Sequence, residues 1–232
     1  MWLNVLYTAV ILFAYIHVAF LVGVIKKNND IMDSFYGLGF VLAAWTSLIL
    51  SGDFAIRKII ITILVTIWGI RLATYVTVRN WGKSEDKRYE AMRERFGEHI
   101  ILKSYLKVYL FQGLVILLVV FPVIFVNLNP NPPITWLDFV GIAIWIFGFY
   151  FEAVGDYQLY SFLNNPDNKG KVFDKGLWRY TQHPNYFGEV TQWWGIFIIA
   201  LSVPWAFVTI FGPIIINYMI INVSGVKLLN KR

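Results

Sequence analysis

Long apolar runs separated by short polar breaks dominate the chain. Seven of them approach the roughly 20 residues that about 30 Å of hydrocarbon requires of a helix. They cover residues 2–25, 34–51, 59–78, 108–128, 134–153, 186–203 and 205–223. The expected architecture is therefore all-α: a polytopic membrane protein of seven transmembrane helices forming one domain over residues 1–232. The first run lacks a basic leader and a small-residue cleavage pattern, so it reads as a span rather than a removed signal peptide.

Charge orients these spans, because cytoplasmic loops carry the excess of Lys and Arg. Seventeen basic residues fall on one side of the alternation, among them Lys26, Lys27, Lys227, Lys231 and Arg232. The other side holds two, Arg57 and Lys58, and Arg71 lies inside the third run. The pattern predicts an N-terminus outside, a C-terminus in the cytoplasm and, in a bacterial cell, insertion in the inner membrane. Composition agrees: 58% hydrophobic against 15% charged residues and a mean hydropathy of +0.59 exclude an ordinary soluble domain. The formal charge of +6 is accounted for by loops beside anionic headgroups, so no nucleic-acid partner is expected. With no cysteine, disulfide and thiolate chemistry are excluded.

Two long cytoplasmic loops, residues 79–107 and 160–185, hold most of the polar side chains and are expected to close a cavity. In the first, Ser84, Glu85 and Asp86 supply cap and dipole partners for a short helix, whose simplest role is to lie on the headgroups. The second is rich in Asn, Pro, Asp and Gly, which form turns. The outer loops, residues 129–133 and Pro204, are short, and the outer halves of the spans are almost wholly apolar. Function is expected on the cytoplasmic half, and the protein is expected to act as a monomer.

Polar residues inside spans are costly and mark functional sites. Trp68, Arg71, Tyr75 and Arg79 follow spacings of three, four and four, so they share one face of the third helix. Glu152 and Asp156 stack on one face of the fifth, where Arg71 or Arg179, ribose hydroxyls or a metal are possible partners. No His stands at a matching helical spacing, and no metal site is assigned. Asn185 and Glu189 repeat the i, i+4 geometry at the start of the sixth, after a Pro184 suited to a first helical turn. These groups are expected to face one cavity open to the cytoplasm. Asp33 reads as an N-cap, with Gly37 and Gly39 following it to allow close approach of a helix or ligand. His17 reads as a packed polar residue, His99 as solvated and His183, taken alone, as structural.

Taken together, the segments YGLGF after Asp33, WGIRLATY at residues 68–75, RNWGKSEDKRY from Arg79, GDYQLYSF around Asp156 and GLWRYTQHPNYFGE at residues 176–189 resemble the steroid 5-alpha-reductase-like membrane proteins. The likeness runs from about Asp33 to Leu229. It implies a seven-helix bundle that binds NADPH in a cytoplasm-facing cavity and reduces a carbon–carbon double bond conjugated to a carbonyl, in a hydrophobic substrate drawn from the bilayer. Carried over by position, Arg71, Asp156, Arg179, Tyr180, Asn185 and Glu189 are implied nucleotide contacts, with Tyr75 and His183 beside them. Asp33 is implied as the acid that polarises the substrate carbonyl. Trp68 stands where the steroid reductases have a tyrosine and offers an indole N–H, and Glu189 is also counted with the catalytic set. Arg79, Lys83 and Arg179 suit the phosphates. No GxGxxG follows a strand, so the dinucleotide is expected to bind without a Rossmann domain.

Two other readings compete. Membrane methyltransferases of the isoprenylcysteine or phospholipid type also place Tyr and Gly after a His-Pro, but they need acids in a later helix, and no Asp or Glu follows Glu189. A channel or transporter requires polar residues through the whole membrane thickness.

Overall fold

A computed structural model describes residues 2–224, so Lys227, Leu229, Lys231 and Arg232 lie outside the described residues. Those described are helical and turn segments, with no strand among them. The chain divides into two compact units, Met1–Asn131 and Pro132–Arg232.

The first unit begins with α1, Trp2–Lys26. Its end is a Schellman motif: Lys27 adopts φ 51°, Lys27 N donates to Val24 O at 3.2 Å and Asn28 N to Gly23 O at 3.0 Å. This tight stop lets α2, Ile31–Ser51, start within a few residues. A left-handed Gly52 ends α2, and α3 follows over Ile56–Asn80. Helices α2 and α3 meet backbone to backbone. A Cβ on Gly37 would sit 2.4 Å from Gly69 O, and one on Gly69 would sit 2.5 Å from Gly37 O. Of the expected pair of permissive glycines, Gly37 thus admits a helix, whereas Gly39 faces the Ile116 side chain.

Beyond α3 come α4, Lys87–Phe96, and α5, Ile100–Ser104. A wide π-helical turn, Tyr105–Leu110, then leads into α6, Phe111–Val119, and α7, Phe121–Leu128. The single span expected over residues 108–128 is therefore two helices broken at Val120. Pro122, in the first turn of α7, has no N–H with which to continue the ladder.

The far end of this unit is also more polar than expected. Asn127 is fully buried, and its Nδ2 donates to Ala44 O at 3.1 Å, Ser47 Oγ at 2.9 Å and Thr62 Oγ1 at 3.3 Å. Arg57 and Lys58, expected in an outer loop, are buried at the start of α3. Arg57 Nη1 donates to Asn131 Oδ1 at 3.2 Å, and Lys58 Nζ pairs with Asp53 at 2.9 Å.

In the second unit α8, Trp136–Leu163, is a single helix of 28 residues. It starts on a capping box in which Asp138 Oδ2 accepts from Thr135 N at 2.7 Å, and it runs ten residues past the expected end at Ala153. Helix α9, Pro184–Ala200, packs along it. Gly141, Gly148 and Gly155 on α8 and Gly188 and Gly195 on α9 recur every seven residues, which keeps them on one face of each helix. A Cβ on Gly188 would lie 2.4 Å from Glu152 N, so the two backbones touch where the polar residues sit. A turn through Trp205 leads to the last apolar stretch, Ala206–Val223, which contains α10, Phe211–Tyr218.

Among the described residues six helical stretches are long and apolar enough to cross a membrane, and the protein is a multi-pass membrane protein in a lipid environment. They do not include the run expected over residues 186–203, because α9 has 17 residues and falls just short of that length.

Candidate functional site

Two polar clusters form, one within each unit. In the first, the predicted face of α3 is realised. The guanidinium carbons of Arg71 and Arg79 stand 5.9 and 5.7 Å from the Tyr75 ring centroid, so one ring is held between two cations. Arg79 Nε also donates to Asn80 Oδ1 at 3.1 Å. Deeper on the same face Trp68 is buried, edge-on to Phe40 at 5.0 Å, which gives this stripe an apolar inner end. Lys83 is exposed in the turn after α3, with no ion pair among the described residues.

Asp33 is not the N-cap. Asp30 occupies that position, and Asp33 is the third helical residue, its carboxylate turned to α4. Tyr89 Oη donates to Asp33 Oδ1 at 2.6 Å, Gln112 Nε2 donates to Tyr89 Oη at 3.1 Å, and Arg88 Nη2 lies 3.4 Å from Asp33 Oδ2. Tyr89 is buried, which gives the short, charge-assisted bond to Asp33 its strength.

The first loop is thus strapped to the α1–α2 junction. Glu85 holds Arg93 Nε at 3.0 Å and accepts from Asn29 N at 2.6 Å, while Arg93 Nη2 donates to Lys27 O at 2.6 Å. Asp86 caps α4 by accepting from Arg88 N at 2.8 Å. Burial pushes the Asp86 carboxyl up, but the hydrogen bonds from the Arg88 side chain and backbone outweigh it and hold the group below its ordinary value. At Asp30 burial prevails, and the carboxyl is held above its ordinary value despite the hydrogen bond from Asp86 N.

In the second unit each of the stacked carboxylates receives an amide donor. Glu152 and Asp156 are both buried on α8. Gln192 Nε2 donates to Glu152, and Asn185 Nδ2 donates to Asp156 Oδ1 at 2.9 Å. Arg179, one of the cations considered for these acids, is exposed with no ion pair among the described residues, and Tyr180 is 81% exposed beside it. That turn is held instead by its neighbours, since Trp178 Nε1 donates to Gly155 O and Leu177 N to Gln158 Oε1, both at 3.0 Å. His183 occupies the N-cap position of α9, its ring 5.3 Å from that of Tyr186. Pro184 takes the first helical turn as expected, and Glu189 lies half-buried one turn beyond Asn185.

Asn185 is the most chemically specific residue of this cluster. Its amide nitrogen is committed to Asp156, which fixes the orientation of the carboxamide. Its Oδ1 is buried without a hydrogen-bond partner among the described residues. An acceptor placed in this way calls for a donor.

The sequence-level reading missed Tyr89, Arg88, Gln112 and Gln192. A trace of the first was present, because Tyr89 and Phe96, seven residues apart, are the buried residues of an otherwise charged α4. Gln192, three residues after Glu189, likewise shares its face of α9.

No curated protein and no solved structure matches the chain. One family does match, over residues 19–232, which takes in both clusters. By that match the chain belongs to the family described as a protein of unknown function, DUF1295.

Proposed function

We propose that this protein is a membrane-embedded NADPH-dependent reductase of a conjugated carbon–carbon double bond in a hydrophobic substrate, with its site open to the cytoplasm. The observation that carries the nucleotide part is the Asn185 carboxamide, oriented by Asp156 and left with a buried acceptor. A ribose hydroxyl or the nicotinamide amide is the donor it lacks. Glu189, one turn on, adds a carboxylate for a second hydroxyl, and Arg179 offers an exposed cation to a phosphate. NADPH, when bound, supplies the hydride.

The chain's own contribution to the chemistry lies at Asp33. The proposed acid works with Asp33 protonated: the carboxyl then donates to Tyr89 Oη, Gln112 holds the same oxygen, and the Tyr89 proton is freed for the substrate. A donor fixed in this way stabilises negative charge developing on a carbonyl oxygen without further reorganisation. Trp68 and Phe40 form an apolar wall of the kind that excludes water from such a reaction. The frame proposed around these residues has seven crossings, α9 being the sixth, with the N-terminus outside, the C-terminus in the cytoplasm and a single copy of the chain.

Thermal unfolding of the detergent-solubilised protein tests the reading. NADPH at 100 times its dissociation constant should add about 2.7 kcal/mol. Asn185→Ala and Glu189→Gln should abolish that shift while leaving the unliganded protein folded, Asn185→Ala with a lowered midpoint because Asp156 loses its amide donor. Stabilisation by S-adenosylmethionine and not by NADPH would establish methyl transfer instead.

A further inference from the structure

A cavity within the first unit borders the first cluster at Asp30 and Asn80 but has no part in the proposed reduction. It has a volume of about 670 Å³ and lies among the end of α1, α2 and α3. Its α3 residues, including Ile70, Thr74, Thr77 and Trp81, lie roughly 150° around the helix from the Trp68–Arg79 stripe at 100° per residue. Phe35, Leu38 and Ile70 make an apolar wall, and Trp81 stands 80% exposed at the mouth. The cavity therefore joins a hydrocarbon-like interior to a polar rim.

The hydroxyls of this cavity are unusual for the protein. Serine and threonine in helices ordinarily donate to a carbonyl one turn back. Thr8, Ser47, Thr66 and Thr191 do so here, at 2.7 to 2.9 Å. Ser34, Thr74 and Thr77 all line the cavity, and none has a hydrogen-bond partner among the described residues. Asn80 also lines it, and its Nδ2 is buried without a partner among the described residues. Four donors without protein acceptors thus border one space. At the rim stands one cation, Lys26, with no ion pair among the described residues, and further in lies one buried anion, Asp30, whose Oδ2 accepts from Asp86 N at 3.2 Å.

We infer that this cavity is a binding site for a single membrane phospholipid whose headgroup carries an ammonium group as well as its phosphate. The phosphate and ester oxygens are acceptors that answer Ser34, Thr74, Thr77, Asn80 and Lys26. The ammonium answers Asp30, and the upper part of one acyl chain lies along Phe35, Leu38 and Ile70. The lipid groups that reach these residues are those found where a cytoplasmic helix end meets the headgroup layer, so the ligand is already at the mouth. Neither the nucleotide nor the alkene is needed for this site, and its test does not depend on reductase activity.

Native mass spectrometry of the purified full chain, titrated with phosphatidylethanolamine, phosphatidylglycerol, diacylglycerol or inorganic phosphate, tests the assignment. One phosphatidylethanolamine should bind, at least tenfold tighter than diacylglycerol and several-fold tighter than phosphatidylglycerol. The triple variant Ser34→Ala, Thr74→Val, Thr77→Val keeps side-chain volume and should weaken binding about tenfold without moving the unliganded melting temperature. Asp30→Asn should retain the phospholipid and lose the preference for the amine. Leu38→Trp, which fills the cavity and leaves every donor in place, should also prevent binding and covers the case in which the triple variant does not fold. Diacylglycerol binding as tightly as phosphatidylethanolamine, phosphatidylglycerol binding as tightly, or inorganic phosphate displacing the lipid would each overturn the assignment, as would wild-type binding by the variants.

Discussion

The two units solve the same problem, polar groups in an apolar protein, in opposite ways. The first brings charge to charge. Asp33, Glu85 and Asp86 meet Arg88 and Arg93 where α1, α2 and α4 end or begin, with side chains part-exposed, so the desolvation of an ion pair is modest. The second buries its carboxylates on α8 and offers them neutral amide donors from α9. An amide costs less to bury than a cation, and Gly148 and Gly188 bring the helices close enough for short side chains to bridge them. In the first unit the part-exposed carboxylates receive cations, whereas in the second the close approach of two helices lets short amide side chains reach buried carboxylates.

That contrast is best broken at the glycines. Gly188→Leu forces a side chain into a gap where even a Cβ would meet Glu152 N at 2.4 Å, so α8 and α9 must separate. The expected loss is about 3 kcal/mol or more, seen as a collapse of the melting temperature in detergent. Gln192→Leu comes next, because it leaves the buried Glu152 without that donor at a cost of about 2 kcal/mol. Glu152→Gln in the same background, which removes the charge, should restore most of the loss.

In the first unit the effects should be smaller and local. Tyr89→Phe removes the bond to Asp33 and should cost about 1.5 kcal/mol, read as faster amide exchange and proteolysis across α4. Asp86→Asn keeps a capping oxygen but loses the charge paired with Arg88, and should cost about 0.5 kcal/mol at neutral pH. The Asp86 carboxyl is held below its ordinary value, so its contribution is present above about pH 4 and fades as pH falls through the depressed value. Variant and wild type should therefore converge in the protection of α4 once pH has fallen below that depressed value. A constant difference across that range would show that charge is not what holds the cap.

The spans were legible because hydrophobicity over 20 residues is a local property. The i, i+4 pairs were legible because helical spacing is regular, and the Arg71–Tyr75–Arg79 face came out as read. Val120 and the length of α8 were not, since a break or an extension by a few residues depends on what packs beside it. The partners were the least legible part. Tyr89 is 56 residues from Asp33 and Gln192 is 40 from Glu152, and no local pattern selects either one from the other aromatics and amides of the chain.

By itself, the sequence determined that this is a helical membrane protein and which polar residues share a helix face, because both follow from composition and period along one segment. Only the tertiary structure decided which donor each carboxylate receives. It turned Asp33 from a cap to a partner of Tyr89, left Asn185 with a buried acceptor and opened the hydroxyl-lined cavity behind α3. A hydrogen bond between distant residues is fixed by how closely helices approach, and here that approach depends on glycines whose importance appears only when two backbones meet.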